Sequence, residues 1–294
     1  MYNILGTRKI WIGISTILIV LTLVFWIVWG LNPGIDFTGG SLMQLKFNNQ
    51  RPTSVEIKQE VVKIPELGEP QVQMVNDDEV ILKLKFISND QRQEILQSFP
   101  DATEESFESI GPVIGKELVG KSVWAIIFVI LGIVVFLSWA FRKVSSGPVP
   151  SWAYGVSAIL ALVHDVIITL GVFILLGHFL NIELNTMFIT ALLTILGYSV
   201  NDTIVVFDRI REGLKTSNKE TFEQVINESI NVTITRSLNT SLTTLLVLFA
   251  LFFFGGATIK YFVLALIVGI ISGTYSSIFI ASPFLLFWQK ILRR

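Results

Sequence analysis

The sequence predicts an α-helical polytopic membrane protein with six transmembrane helices and one small α+β, ferredoxin-like domain outside the bilayer. Three observations predict it. Of the 294 residues, 52% are hydrophobic, and the mean hydropathy is +0.66, more apolar side chain than a soluble domain of this size can enclose. The apolar residues gather into six long runs, and a single polar stretch, 32–121, is long enough to fold by itself.

A bilayer core is crossed by ~20 apolar residues in a helix. Runs of that size occupy 10–31, 123–141, 152–176, 184–207, 232–254 and 261–288. Arg8 and Lys9 ahead of the first run give it the look of a signal peptide. It exceeds the roughly 7–15 apolar residues of such a segment and lacks a small-residue cleavage site, so it reads as an uncleaved anchor. Basic residues set the orientation. With the N-terminus cytoplasmic, the inner segments hold Arg8 and Lys9; Arg142 and Lys143; Arg209, Arg211, Lys215 and Lys219; and Lys290, Arg293 and Arg294. The two short outer loops hold Lys260. Both termini are therefore expected inside. The chain divides into 1–31 (N-terminus and first helix), 32–121 (extracytoplasmic domain) and 122–294 (helices two to six, with a cytoplasmic helical loop at 208–231).

The outer segment carries nine basic and fifteen acidic side chains, which disfavours a nucleic-acid partner. Within it, 41–47, 72–75, 80–86 and 104–110 alternate like strands, and 53–64 and 89–99 have helical spacing. The order β-α-β-β-α-β matches a ferredoxin-like sandwich. In the inner loop, Ser217 and Glu220 form a capping-box pattern ahead of Phe222, Val225, Ile226 and Ile230 on one face. This predicts a helix over 217–230, lying on the membrane surface, docking a partner, or packed on the span ends as a connector.

Polar side chains inside the runs are the informative ones, since an ionised group at mid-membrane costs at least ~2.5–3.5 kcal/mol. The third run holds His164 and Asp165, the fourth Asn201, Asp202 and, at its end, Asp208. The fifth holds Arg236, Asn239, Thr240, Thr243 and Thr244, which share one helical face. Thr190, Thr194, Gly197 and Asn201 form a similar stripe, with Tyr198 one turn before Asp202, and Ser157, Ala161 and Asp165 another. Such faces suit a packed bundle with a hydrated interior.

Asp202 lies ~8 Å from one end of its run and Arg236 ~6 Å from the corresponding end of the next, so antiparallel helices place them at similar depth. They can pair, leaving a carboxylate able to exchange protons, or Arg236 can snorkel to the surface. His164 and Asp165 resemble a proton-relay pair, although helical neighbours point about 100° apart and need not touch. Asp208, Arg209 and Arg211 read as solvated charges. Gly269, Gly273 and Ser277, with Ser272 and Ser276 beside them, read as close helix packing without chemistry.

The chain has no cysteine, which excludes disulfides and thiolate chemistry. No nucleophile elbow, phosphate loop, zinc motif or nucleotide-binding signature appears, so no enzyme activity, cofactor or metal is expected.

Several motifs resemble one family. The run Asn32-Pro-Gly-Ile-Asp-Phe-Thr-Gly-Gly40 follows the first span, with Gly34, Asp36, Gly39 and Gly40 as its marked positions. Val163-His164-Asp165 lies in the third span, and Gly197-Tyr198-Ser199-Val200-Asn201-Asp202-Thr203 in the fourth. The stretch from Val205 to Glu212 and the run Arg236-Ser237-Leu238-Asn239-Thr240-Ser241 complete the set. Together they resemble the SecD/SecF family of protein-export membrane subunits, part of the resistance-nodulation-division superfamily, and the single small outer domain resembles its SecF branch. The resemblance implies pairing with SecD in the bacterial inner membrane and assistance to the SecYEG channel and its ATPase SecA. It also implies YajC and YidC as further partners and contact of the outer domain with emerging unfolded preprotein. Protons would be the coupling ion, with Asp202 and Arg236 as the proton relay and His164, Asp165, Tyr198, Asn201, Asn239 and Thr240 as a secondary polar network.

Two rivals remain: half of a proton-driven small-molecule or lipid exporter of the same superfamily, and a non-transporting assembly scaffold. Six spans and an outer domain of about 90 residues are small for an exporter. A scaffold leaves the depth of Asp202 explained only by a structural ion pair.

Overall fold

The structure is a computed structural model that describes residues 2–49, 51–65, 67–75, 77–142, 148–216 and 221–292. It divides into two compact units, Pro33–Trp124 and a membrane unit made of Met1–Asn32 with Ala125–Arg294.

In the first unit, β1 (Gly40–Phe47), α3 (Ser54–Val62), β2 (Gln71–Met74), β3 (Glu79–Leu84), α4 (Asn89–Ser98) and β4 (Ala102–Ile110) follow the anticipated order. A four-residue helix, α2 (Ile35–Thr38), precedes them. The sheet is antiparallel in the order β2-β3-β1-β4, so the central strands β1 and β3 carry the core. Period-two alternation turns Met43, Leu45 and Phe47 of β1 and Val80, Leu82 and Leu84 of β3 to one face. There they meet Ile57 and Val61, one turn apart on α3, and Ile95 of α4. Each such side chain contributes about 1.5–3 kcal/mol by leaving water. Both helices begin at a capping box: Thr53 with Glu56, and Ser88 with Gln91.

The glycines after the first span serve backbone contact. The carbonyl of Gly34 accepts the amides of Phe37 and Thr38, which starts α2, and Asp36 sits half-buried in that turn. Gly39 has φ +72°, and a Cβ there would lie 2.8 Å from Cα of Pro112, the first residue of α5 (Pro112–Ala140).

Six helices are long and apolar enough to cross a membrane. They are α1 (Arg8–Trp29, preceded by a 3-10 turn), α5, α6 (Ser151–Leu180), α7 (Thr186–Thr216), α8 (Phe222–Phe254) and a last one in two parts. That last span consists of α9 (Ala257–Ser276), a π-helical turn (Ser277–Ala281) and α10 (Ser282–Leu292). In the membrane unit α9 packs against α6, α7 and α8, and α1 packs against α6.

Two expectations change. The sixth run is not one regular helix, because the π turn inserts an extra residue ahead of Pro283, which has no N–H to continue an α ladder. Nor is the helix expected at 217–230 a separate element lying on the membrane. Its described part is the start of α8, opened by a capping box of Thr221 and Gln224; the Ser217–Glu220 pattern falls outside the described residues. Phe222, Ile226 and Ile230 join Phe207 and Ile210 of α7 in one buried cluster. At ~1.5 Å per residue, α7 and α8 are ~46 and ~50 Å long, well beyond the ~30 Å of a bilayer core.

Residues 2–8 are strapped to the start of α8. Asn227 Oδ1 accepts the amides of Ile4 (3.0 Å) and Leu5 (3.3 Å), and Asn231 Oδ1 accepts that of Tyr2 (2.8 Å). The amide groups of both asparagines donate back to the Tyr2 carbonyl, and Arg8 forms an ion pair with Glu223.

Candidate functional site

Two carboxylates are buried among α6, α7, α8 and the last span. Asp165 of α6 is fully buried, with 0% exposure. Its Oδ1 lies 2.9 Å from the Ser272 hydroxyl and 3.0 Å from Nδ1 of His164. Its Oδ2 lies 2.6 Å from the Ser199 hydroxyl and 2.8 Å from that of Ser276. Four donors from three helices saturate this carboxylate and tie α6 to α7 and α9. A glycine makes the approach possible: a Cβ on Gly273 would lie 2.9 Å from Cβ of Ser199.

Asp202 of α7 is 8% exposed and has two such donors. Ser237 of α8 reaches Oδ1 at 2.5 Å, and Ser277 of the π turn reaches Oδ2 at 2.6 Å. One turn away, Tyr198 donates to Ser241 at 3.4 Å, and Ser241 lies 2.5 Å from Thr274. Consecutive serines of the last span thus reach different carboxylates, Ser276 to Asp165 and Ser277 to Asp202.

His164 and Asp165 do touch, the outcome that their adjacency left open. The ring of His164, 4% exposed, stacks on Tyr275 at 5.9 Å, and its Nε2 has no hydrogen-bond partner among the described residues.

Arg236 is not brought to Asp202. Its side chain is exposed, without a hydrogen bond or ion pair among the described residues, because the next residue, Ser237, takes the inward position on α8. Asn201, Asn239 and Thr240 are exposed as well, as are Thr190, Thr194 and Thr243, so the polar stripes of α7 and α8 face outward from this chain. The threonine hydroxyls on them donate to backbone carbonyls three or four residues back. Asp208 and Glu212 meet Arg211 and Arg209 in exposed pairs along α7.

Five hydroxyls of this site, on Ser199, Ser237, Ser272, Ser276 and Ser277, escaped the sequence reading as donors to carboxylates. Serine in an apolar helix is as common in packing as in chemistry. The available signal was the repeat of Ser272 and Ser276 at one turn, in a span facing two carboxylates. Among the described residues no group of three or more His, Asp or Glu could hold a metal ion.

Comparison with known proteins identifies the family. The family model described as "Protein export membrane protein SecD/SecF, C-terminal" matches residues 91–291, and that of the "SecD/SecF GG Motif" matches 24–50. The protein translocase subunit SecF of Thermobaculum terrenum is 40% identical, with 99% of this chain and 95% of that protein covered. Its counterpart in Anaerolinea thermophila is 37% identical, with 99% and 95% covered. The crystal structure of SecDF from Thermus thermophilus, a translocon-associated membrane protein, superposes with a TM-score of 0.85 at 36% identity. That match covers 98% of this chain and 39% of the solved one, so this chain corresponds to about two-fifths of the SecDF polypeptide. SecDF in a super-membrane-facing form gives a TM-score of 0.71 at 34% identity. These matches favour protein export over a small-molecule exporter. Six apolar helices, a ferredoxin-like sheet, the glycine motif at 34–40 and full-length likeness to SecF subunits place the chain in the SecD/SecF family of protein-export membrane proteins.

Proposed function

We propose that this chain is an accessory subunit of Sec protein translocation that pairs with a SecD-like subunit and couples the proton motive force to export, with Asp202 as the proton carrier. The observation that carries the reading is the Asp202 site. Among the described residues, this carboxylate in an apolar bundle is held by two neutral hydroxyls and no cation, whereas Asp165 has four partners. Gain and loss of a proton is the low-cost response of such a group. Asp165, with His164, serves as the fixed partner that holds α6, α7 and α9 together.

The outward polar face of Arg236, Asn239, Thr240, Thr243, Asn201 and Thr194 supports a SecD-like partner. A guanidinium and two amides facing lipid would be costly, and a second membrane domain carrying polar groups would cover them. Arg236 then acts across that interface. The basic-residue bias supports cytoplasmic termini, with 32–121 on the far side, where it would meet preprotein emerging from SecYEG and SecA. YajC and YidC belong to this reading as neighbours of the assembled complex.

The test is Asp202→Asn, which keeps the shape and removes the proton site. In a SecF-depleted strain, the variant should assemble with SecD and fail to support proton-motive-force-dependent export. Export at the wild-type rate overturns the carrier role.

A further inference from the structure

Ser277 can donate its one hydrogen to two acceptors. Its hydroxyl oxygen lies 2.6 Å from Oδ2 of Asp202 and 3.0 Å from the carbonyl of Thr274, three residues back on α9. Ser237, on the other side of the carboxylate, donates to Asp202 alone among the described residues. The two oxygens of Asp202 are therefore unlike: one faces a hydroxyl that has an alternative acceptor, the other a hydroxyl that has none.

We infer that Ser277 is a positioning residue for Asp202, a hydroxyl that changes acceptor as the carboxyl gains and loses its proton. This rests on Asp202 being the proton carrier. With Asp202 ionised, Ser237 and Ser277 both donate to it. When a proton binds, an O–H bond forms at Oδ2 and no other covalent bond changes. The new O–H donates to the Ser277 oxygen, whose own hydrogen turns to the Thr274 carbonyl. At Oδ1 the same event would displace the Ser237 hydrogen with no second acceptor to receive it, so the proton enters at Oδ2. Every donor is satisfied in both states.

The last span aims Ser277 at this position. It opens the π turn, where Ser282 donates to its carbonyl at 3.0 Å. π turns occur often at functional sites because they re-aim a side chain within an otherwise regular helix. Ser276, one residue earlier, is anchored on Asp165, which fixes the helix beside the switching residue. Other ionisable groups on the helices packed here are otherwise engaged or turned away. His164 and Asp165 bond each other, Tyr275 bonds Ser15 and the Trp11 carbonyl, and Tyr198 bonds Ser241. Tyr154 is buried among aromatic rings, and Arg236 is exposed. Among the described residues, hydroxyls alone meet the Asp202 carboxyl.

The test compares Ser277→Thr with Ser277→Val in the full chain assembled with its partner, measuring export as a function of pH. The two replacements have nearly the same shape and differ by a hydroxyl. Ser277→Val should lower proton-motive-force-dependent export about tenfold or more, the scale of a lost hydrogen bond to a charged group, and move the pH of half-maximal export. Ser277→Thr should stay within about twofold of wild type with an unmoved midpoint, since a helical threonine can also donate to a carbonyl three or four residues back. In an Asp202→Asn background, Ser277→Val should add nothing. Equal behaviour of Thr and Val, or a smaller amplitude with an unmoved midpoint, overturns the switch and leaves the carrier standing. Wild-type export by Asp202→Asn overturns both.

Discussion

Arg236 and Ser237 are consecutive on α8 and serve opposite surfaces: the serine donates to buried Asp202 at 2.5 Å, while the arginine is exposed. A step of about 100° per helical residue separates them. The neutral hydroxyl, not the guanidinium, is what this chain offers its membrane carboxylate from α8.

Arg236→Leu should therefore leave the stability of the isolated chain within about 0.5 kcal/mol of wild type, as for an exposed side chain without partners. In the same experiment Ser237→Ala should cost about 1.5–3 kcal/mol, because a donor to a charged acceptor is lost. Thermal unfolding of the detergent-solubilised proteins checks both. A larger loss for Arg236→Leu than for Ser237→Ala would restore the pairing of Arg236 with Asp202.

Asp165 should behave as a structural group. Asp165→Ala strands the hydroxyls of Ser199 and Ser272 and the Nδ1 of His164, each at about 1–3 kcal/mol, while Ser276 keeps the Gly273 carbonyl at 3.2 Å. The variant should accumulate poorly and elute as aggregate in size-exclusion chromatography, whereas Asp202→Asn elutes like wild type. Equal profiles for the two variants would contradict this division of labour.

At the start of α3, the Thr53 amide and hydroxyl donate to the Glu56 carboxylate and hold its pKa below the usual carboxylate value. A lowered folded pKa gives stabilisation that is complete above the unfolded-state value and lost as pH falls through the folded one. The start of α3 should therefore fray as the medium is acidified past the usual carboxylate range. Hydrogen exchange of the amides of 54–58 checks this, and Glu56→Gln should remove the acid dependence without removing the helix.

The absence of native cysteine makes topology directly measurable. A cysteine at Asp78 should react with an impermeant maleimide in intact cells, and one at Lys290 should react only after the membrane is opened. The reverse pattern would invert the proposed orientation.

What was legible in the sequence follows from periodicity. Six apolar runs and the alternation of Met43, Leu45 and Phe47 announce spans and strands, because burial on one side leaves a mark at every second or fourth residue. Asp202 was legible as well, since a carboxylate among Val200, Val205 and Val206 has no packing explanation. Its partners were not. Ser237 and Ser277 look the same in sequence whether they line a helix contact or donate to a carboxylate, and the choice depends on helix rotation. The π turn was hidden for a related reason: one extra residue barely disturbs an apolar pattern in a span buried on most sides. Arg236 misled because equal depth is not equal azimuth.

The strap formed by residues 2–8 has a consequence for biosynthesis. Tyr2 and Asn231, bonded through both backbone groups of the tyrosine, are separated by 229 positions. At about 5–20 residues per second, a ribosome needs roughly 10–45 s to travel from one to the other. During that interval the amides of Tyr2, Ile4 and Leu5 lack their acceptors, and four further spans must enter the bilayer first. A segment made before the first span is thus fastened only after the fourth, and its closure reports that α8 has been inserted.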